Sequence, residues 1–240
     1  MSALGPRAVV FGAGGAIGGA LVDELANRGV AEIHALSRHP GRAPAPVHTD
    51  YADILDEPSL AEVALRLGAM GALDTVIVAT GLLHGAGLSP EKALRDLRPE
   101  AMATLFAVNC TGPALVMKHF LPLLARDRPA RFAVLSARVG SISDNHKGGW
   151  YGYRAAKAAL NMMVRGAAIE TARRAPQAVV LALHPGTVES PLSRPFQGFI
   201  PKSHLTSPVQ AAKNLLNVLE AANIEQSGRL LAYDGQEIAP

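Results

Sequence analysis

Tyr153 and Lys157 stand four residues apart in Trp150-Tyr151-Gly152-Tyr153-Arg154-Ala155-Ala156-Lys157, and the chain runs on into Ala158, Ala159 and Leu160. Apart from Gly152 the stretch runs into good helix formers, so a phenol and an ammonium project from one face, one turn apart. That pairing is an acid/base unit. A free phenol titrates near pH ~10, and a cation close by favours the phenolate and lowers that value. The same spacing also arises as a half-buried ring beside a solvated amine, so its meaning rests on what surrounds it.

A glycine-rich turn near the start supplies the first context. The apolar run Arg7 to Phe11 stops at Gly12-Ala13-Gly14-Gly15-Ala16-Ile17-Gly18-Gly19, after which Ala20 to Asn27 reads as helix. A buried strand, a glycine turn and a helix start make a pyrophosphate site, because the backbone can approach the phosphates and free N–H groups carry partial positive charge. Tight strand-to-helix turns also use glycine for geometry alone. The next strand, Ala31 to Leu36, ends at Ser37-Arg38-His39. In a dinucleotide fold this point meets the adenosine ribose, where an acid would bind the 2′-hydroxyl. Here a hydroxyl, a guanidinium and an imidazole suit a 2′-phosphate instead, with Arg38 as its bidentate partner, so NADP(H) is favoured over NAD(H). The plainer alternative is an Arg in a solvated loop.

Further strands are expected at 47–49, 73–78, 131–136, 179–183 and 228–233, and helices at 53–69, 99–124, 151–174 and 208–222, the last with Ser207 as its cap and Pro208 at its first position. Alternating strands and helices behind a glycine turn describe an α/β, doubly wound parallel sheet, a Rossmann fold, here as a single domain over residues 1–240. Asn109 is a polar amide in an apolar stretch and is costly there unless bonded. Ser136, Ser141 and Ser143 crowd the loop after the 131–136 strand. Residues from about 190 to 205, with Phe196, Phe199 and Ile200 between prolines, read as a lid over a substrate. The helix at 151–174 presents Leu160, Met163, Val164, Ala167 and Ala168, a face that suits either a core or a second subunit in a homodimer or homotetramer.

Composition narrows the classes. With 240 residues, 49% hydrophobic and 18% charged, and a net charge of +3 spread along the chain, the sequence is globular and implies no nucleic acid partner. The single Cys110 excludes an internal disulfide, and the histidines show no metal-ligand spacing, so no metal is expected. No apolar run reaches the ~18 residues of a membrane span, and no leader pattern opens the chain. A cytoplasmic protein with no membrane association is the expectation.

Taken together, Gly12 to Gly18, Val108-Asn109-Cys110-Thr111-Gly112, Tyr153-x-x-x-Lys157 and Pro185-Gly186 resemble the short-chain dehydrogenase/reductase family, single-domain type. Gly-Ser-Ile, Gly-Gly-x-Tyr-x-Tyr-Arg and Ala-Tyr-Asp-Gly are similar to its branch of C-factor and Sniffer-like carbonyl reductases. The resemblance implies a dehydrogenase/reductase that interconverts a small carbonyl compound and an alcohol by hydride transfer, with Tyr153 as acid/base. Lys157 would lower the phenol's pKa and hold the ribose, Asn109 would bend its helix and support a water-linked proton path, and a serine would polarise the carbonyl. It implies cofactor contacts from Gly12, Gly14, Gly15, Ile17, Gly18, Asp50 at the adenine, Gly81, Pro185, Gly186, Val188 and Ser190. The chain departs from the family in three places. Ala16 stands for the middle glycine, Val78-Ala79-Thr80-Gly81 for Asn-Asn-Ala-Gly with Thr80 as partial replacement, and Ala137 for the catalytic serine, which leaves Ser141 as the favoured substitute. A cofactor-binding sensor without turnover, or an epimerase or dehydratase on the same scaffold, are the alternatives.

Overall fold

A computed structural model describes residues 3–85, 87–199, 201 and 205–240. Its centre is one sheet in the order β3-β2-β1-β4-β5-β6-β9-β10. These strands are β1 (Arg7–Phe11), β2 (Glu32–Ser37), β3 (Val47–Tyr51), β4 (Thr75–Val78), β5 (Ala130–Leu135) and β6 (Ala178–His184), followed by β9 (Leu230–Ala232) and β10 (Glu237–Ile238). A separate parallel pair joins β7 (Thr187–Val188) to β8 (Leu205–Thr206). Every neighbour in the large sheet is parallel except β10, which returns antiparallel along β9.

Strand side chains alternate between two cores, as the two-residue period requires. Val9, Phe11, Val76 and Val78 face the layer of α2 (Glu57–Ala69), α4 (Gly112–Phe120) and α5 (Tyr151–Ala172). Val10 and Ile77 face the layer of α1 (Ala16–Asn27) and α6 (Pro208–Ala221). The sheet is therefore the doubly wound parallel one expected. Its strand order reverses on either side of β1, which opens a crevice beyond the carboxyl ends of β1 and β4.

Several boundaries differ from the sequence reading. α1 starts at Ala16 rather than Ala20, directly on the glycine turn. α2 starts at Glu57 rather than Asp53, because the Asp53 side chain accepts the Leu55 N–H at 3.0 Å and closes a turn first. β4 starts at Thr75, since Leu73 instead bridges to Leu124.

The long apolar helix is not uniform. α3 (Pro99–Phe106) passes through a π-helical turn at Ala107–Thr111 before α4 begins. Pro113 lacks the N–H that would bond the Asn109 carbonyl, and its ring crowds that group, which widens the turn. With its last 3₁₀ turn this stretch, Pro99–Leu123, runs 25 residues and contains an 18-residue window of mean hydropathy 1.2, long and apolar enough by length and composition alone to cross a membrane. Its apolar composition has another cause here: Val116, Met117 and Phe120 are buried in the core of the sheet.

Candidate active site

Two glycines define the turn between β1 and α1. Gly12 has φ 78°, and a Cβ there would lie 3.0 Å from the Ala79 carbonyl carbon. A Cβ on Gly18 would lie 2.0 Å from the Gly12 carbonyl oxygen, so no side chain fits without moving backbone. Ala16 takes its place as the first residue of α1, which has no side-chain cap and no acid in its first turn. Its N-terminal N–H groups are thus left to an anion. Gly14 faces the end of β2, where a Cβ would sit 3.7 Å from the Ser37 Cβ, and Arg38 follows, exposed. The turn and the Ser37-Arg38 pair therefore share one rim. At the end of β3 the Asp50 carboxylate pairs with Arg66 and accepts the Tyr51 N–H at 2.7 Å.

The other wall comes from α5. Tyr153 and Lys157 lie on its buried side with Ala156 and Leu160, at 8% and 2% exposure. The Lys157 Nζ donates to the Leu135 carbonyl at the end of β5 at 2.8 Å and sits 5.9 Å from the Tyr153 ring centre. Gly140 lets the loop after β5 press onto this helix, since a Cβ there would lie 2.8 Å from the Lys157 Cβ. Burial governs both titrations. It lowers Lys157 to about 7 and pushes Tyr153 up to about 12. In this structure the lysine therefore does not bring the phenol down, because burial penalises the phenolate and leaves the amine only partly charged near neutrality.

Asn109 sits in the π turn with no exposure. Its amide donates to the carbonyls of Leu82 at 2.7 Å and Leu105 at 3.0 Å, while its Oδ1 accepts the Leu82 N–H at 3.0 Å. Three bonds meet the cost of burying the amide and tie the loop after β4, including Gly81, to the long helix. Thr80 does not share this work. Its hydroxyl is buried without a hydrogen-bond partner among the described residues.

Between these walls lies a cleft of about 210 Å³ that brings Ile17 of the glycine turn together with Tyr153, Pro185, Gly186, Val188 and Ser190. Ser141 is not part of it: the Ser141 hydroxyl accepts the Asp144 N–H at 3.1 Å and closes a turn. Ser136 and Ala137 do line the cleft, but the Ser136 hydroxyl donates to Asn161 Oδ1 at 2.7 Å. Sequence reasoning missed Trp150, His184 and Ser193 as cleft residues. Burial pushes His184 down to about 4, and its Nδ1 is buried without a partner among the described residues. The one available signal was position, since His184 immediately precedes Pro185-Gly186.

The lid is described through Phe199 and at Pro201, with Arg194–Phe199 as a 3₁₀ turn, while Ile200 lies outside the described residues. It rests on the loop after β4, where the His84 ring nitrogen Nε2 lies 3.2 Å and 3.1 Å from the carbonyls of Pro191 and Leu192. A larger depression, of about 650 Å³, lies on the outer face of α4 and α5 beside Met162 and Met163 and away from these groups. Met163, on the face expected to suit either a core or a second subunit, is 46% exposed, and Met162 is 71% exposed. Among the described residues no cluster of three His, Cys, Asp or Glu side chains could hold a metal ion.

A glycine cradle at a helix start, facing a buried Tyr–Lys pair across the switch point of a doubly wound sheet, defines a dinucleotide-dependent oxidoreductase. Residues 6–198 match the short chain dehydrogenase family, and the chain belongs to that family. It is 36% identical over 158 residues to the C-signal protein of Myxococcus xanthus, covering 65% of this chain and 90% of that protein. It is 33% identical over 184 residues to 1-hydroxy-2-glutathionyl-2-methyl-3-butene dehydrogenase of Rhodococcus sp., covering 76% of each. Its fold matches the NADPH-bound carbonyl reductase from chicken fatty liver with a TM-score of 0.85 at 22% identity, over 98% of this chain and 99% of that one. The carbonyl reductase Sniffer of D. melanogaster matches with a TM-score of 0.86 at 18% identity and the same coverage.

Proposed function

We propose that this oxidoreductase interconverts a ketone or aldehyde and an alcohol with NADP(H), Tyr153 exchanging the proton. The observation that carries this reading is one cleft shared by Ile17 of the glycine turn, Tyr153, and the Pro185-Gly186 segment. When bound, NADP(H) would supply the hydride chemistry between its nicotinamide and the carbonyl carbon. The chain's own residues do the rest. Gly12, Gly14, Gly15 and Gly18 admit the pyrophosphate to the α1 N-terminus, and Pro185, Gly186, Val188 and Ser190 hold the nicotinamide end. Tyr153 gives its proton to the alkoxide oxygen and regains one afterwards. Lys157, when charged, stabilises the phenolate and holds the ribose hydroxyls, while Asn109 fixes the loop beneath the cofactor. Two carbonyl-reductase folds at high TM-score, one of them NADPH-bound, accord with this assignment.

Loss of NADPH absorbance with a panel of ketones and aldehydes tests the reading, and no consumption with any of them would overturn it. Ala137 favours one rival, a protein that binds NADP(H) without turnover, because the cleft lacks the family's serine there. That rival binds NADPH in the same assay and consumes none.

Ser37 and Arg38 stand on the rim where a 2′-phosphate would lie, and Arg38 is exposed. Arg38→Ala is expected to weaken NADPH binding about tenfold to a hundredfold and NADH binding little, as for a lost charge-assisted bidentate contact. Titrating both nucleotides by fluorescence checks this, and equal losses would refute the phosphate role. The exposed Met162, Met163 and Ile169 on α5 are where a second copy would pack as a homodimer. Sedimentation analysis is expected to show the dimer dissociating in Met163→Glu, and a monomeric native chain would end that assignment.

A further inference from the structure

The head of α5 rests on a carboxylate that the reaction does not use. Glu91 lies in the loop between β4 and α3 and is 5% exposed. Its Oε2 accepts the Gly152 N–H at 3.2 Å, and its backbone carbonyl accepts the Trp150 N–H at 2.5 Å. Its Oε1 is buried without a hydrogen-bond partner among the described residues. α5 begins with no side-chain cap of its own and no acid in its first turn. Glu91 supplies from outside the acceptors that this helix end lacks.

The residue it holds is unusual. Trp150 has φ 53° and ψ 39°, the single non-glycine residue with positive φ among those described. A bulky side chain is disfavoured in this left-handed region and stays there only where its surroundings over-determine it. Those surroundings are identifiable. The Glu91 carbonyl takes the Trp150 N–H, and the Trp150 carbonyl takes the Arg154 N–H at 2.9 Å. Glycines on either side let Glu91 come close. A Cβ on Gly149 would lie 3.3 Å from the Glu91 carbonyl oxygen, and one on Gly152 would lie 2.9 Å from its Oε1. The strained backbone sends the indole into the cleft, where its ring centre lies 4.9 Å from Phe196 of the lid and 6.4 Å from Tyr153.

We propose that Glu91 is a positioning residue that holds Trp150 in its left-handed conformation, and that the indole so held is the wall that selects carbonyl compounds by the bulk of their apolar group. The selectivity half rests on the carbonyl-reductase reading above. The positioning half does not, since Trp150 is the chain's one tryptophan and its emission reports this position directly.

The experiment compares the native chain with Glu91→Ala, Glu91→Gln and Trp150→Asn, the last removing the ring while tolerating the left-handed backbone. In Glu91→Ala the emission shifts to the red and acrylamide quenching rises about twofold or more, as a packed indole becomes mobile, with NADPH affinity unchanged. Its KM for acetophenone rises about tenfold relative to that for propanal, the cost of a lost apolar wall. Glu91→Gln keeps one acceptor for Gly152 and falls between the two, and it is the variant read if Glu91→Ala does not fold. Trp150→Asn loses the preference for acetophenone outright. Unchanged emission and quenching in both Glu91 variants would overturn the positioning role, and an unchanged acetophenone-to-propanal ratio in Trp150→Asn would overturn the wall. If native protein consumes NADPH with neither carbonyl, the functional reading fails while the emission measurements still decide the role of Glu91.

Discussion

Tyr153→Phe is expected to retain the fold and NADPH binding while losing turnover by a factor of about 10²–10⁴, the usual contribution of a positioned general acid. The phenol sits in a closely packed environment, 8% exposed, and phenylalanine preserves its ring against Trp150 and the apolar cluster of Leu83, Leu105 and Ala101. The substitution therefore removes a proton donor without opening a cavity. Because burial holds the hydroxyl near 12, it is protonated across the working range and ready for the reductive direction. Oxidation of an alcohol needs the phenolate instead and should be favoured only at alkaline pH. Steady-state rates in both directions, with NADPH titration as the control for binding, check these expectations. Turnover left intact would remove Tyr153 from the mechanism.

Lys157→Met is expected to lose activity and gain stability together. The amine is lowered from 10.5 to about 7 by burial. Its folded value is therefore below its unfolded one, so the unfolded chain binds more protons between about 7 and 10.5 and stability rises with pH across that window. The cost of the buried charge is full below about 7 and fades towards 10.5. At ~1.4 kcal/mol per unit it amounts to several kcal/mol, offset in part by the bond to the Leu135 carbonyl that methionine cannot make. Methionine has nearly the same length and no charge to bury, so the variant should be the more stable at pH 6 and lose that advantage by pH 10. Urea unfolding of both proteins at the two pH values measures this, and an advantage independent of pH would show that the amine is not buried as described. The same titration predicts that reductive kcat/KM of the native enzyme declines as pH rises through about 7, because the cation that supports the proton transfer is being lost.

These expectations separate what could be read along the chain from what could not. Gly12 and Gly18 were legible because each answers a local demand, a positive φ in one case and a Cβ with no room in the other. Tyr153 and Lys157 were legible because helical spacing alone puts them on one face, and the alternation of strands with helices behind the glycine turn gave away a sheet covered on both sides. Ser141 was not legible, since a loop of three serines carries no period to say which hydroxyl faces a cleft and which closes a turn with Asp144. Neither was the sign of the net shift on Tyr153. Sequence spacing supplies the neighbouring amine, but burial is a property of the whole packing, and here burial is what raises the phenol.

The amino-acid order by itself determined the parts whose cause lies within a turn or two of chain: the glycine cradle, the Tyr153–Lys157 pairing, the two-faced strands and the Ser207-Pro208 start of α6. Only the tertiary structure decided that Glu91 meets Trp150 and Gly152 across 59 and 61 positions, that Asn109 braces Leu82, and that Ala137 lines the cleft while Ser141 does not. Local conformational preference is written residue by residue, whereas long-range contacts depend on which faces the sheet order brings together.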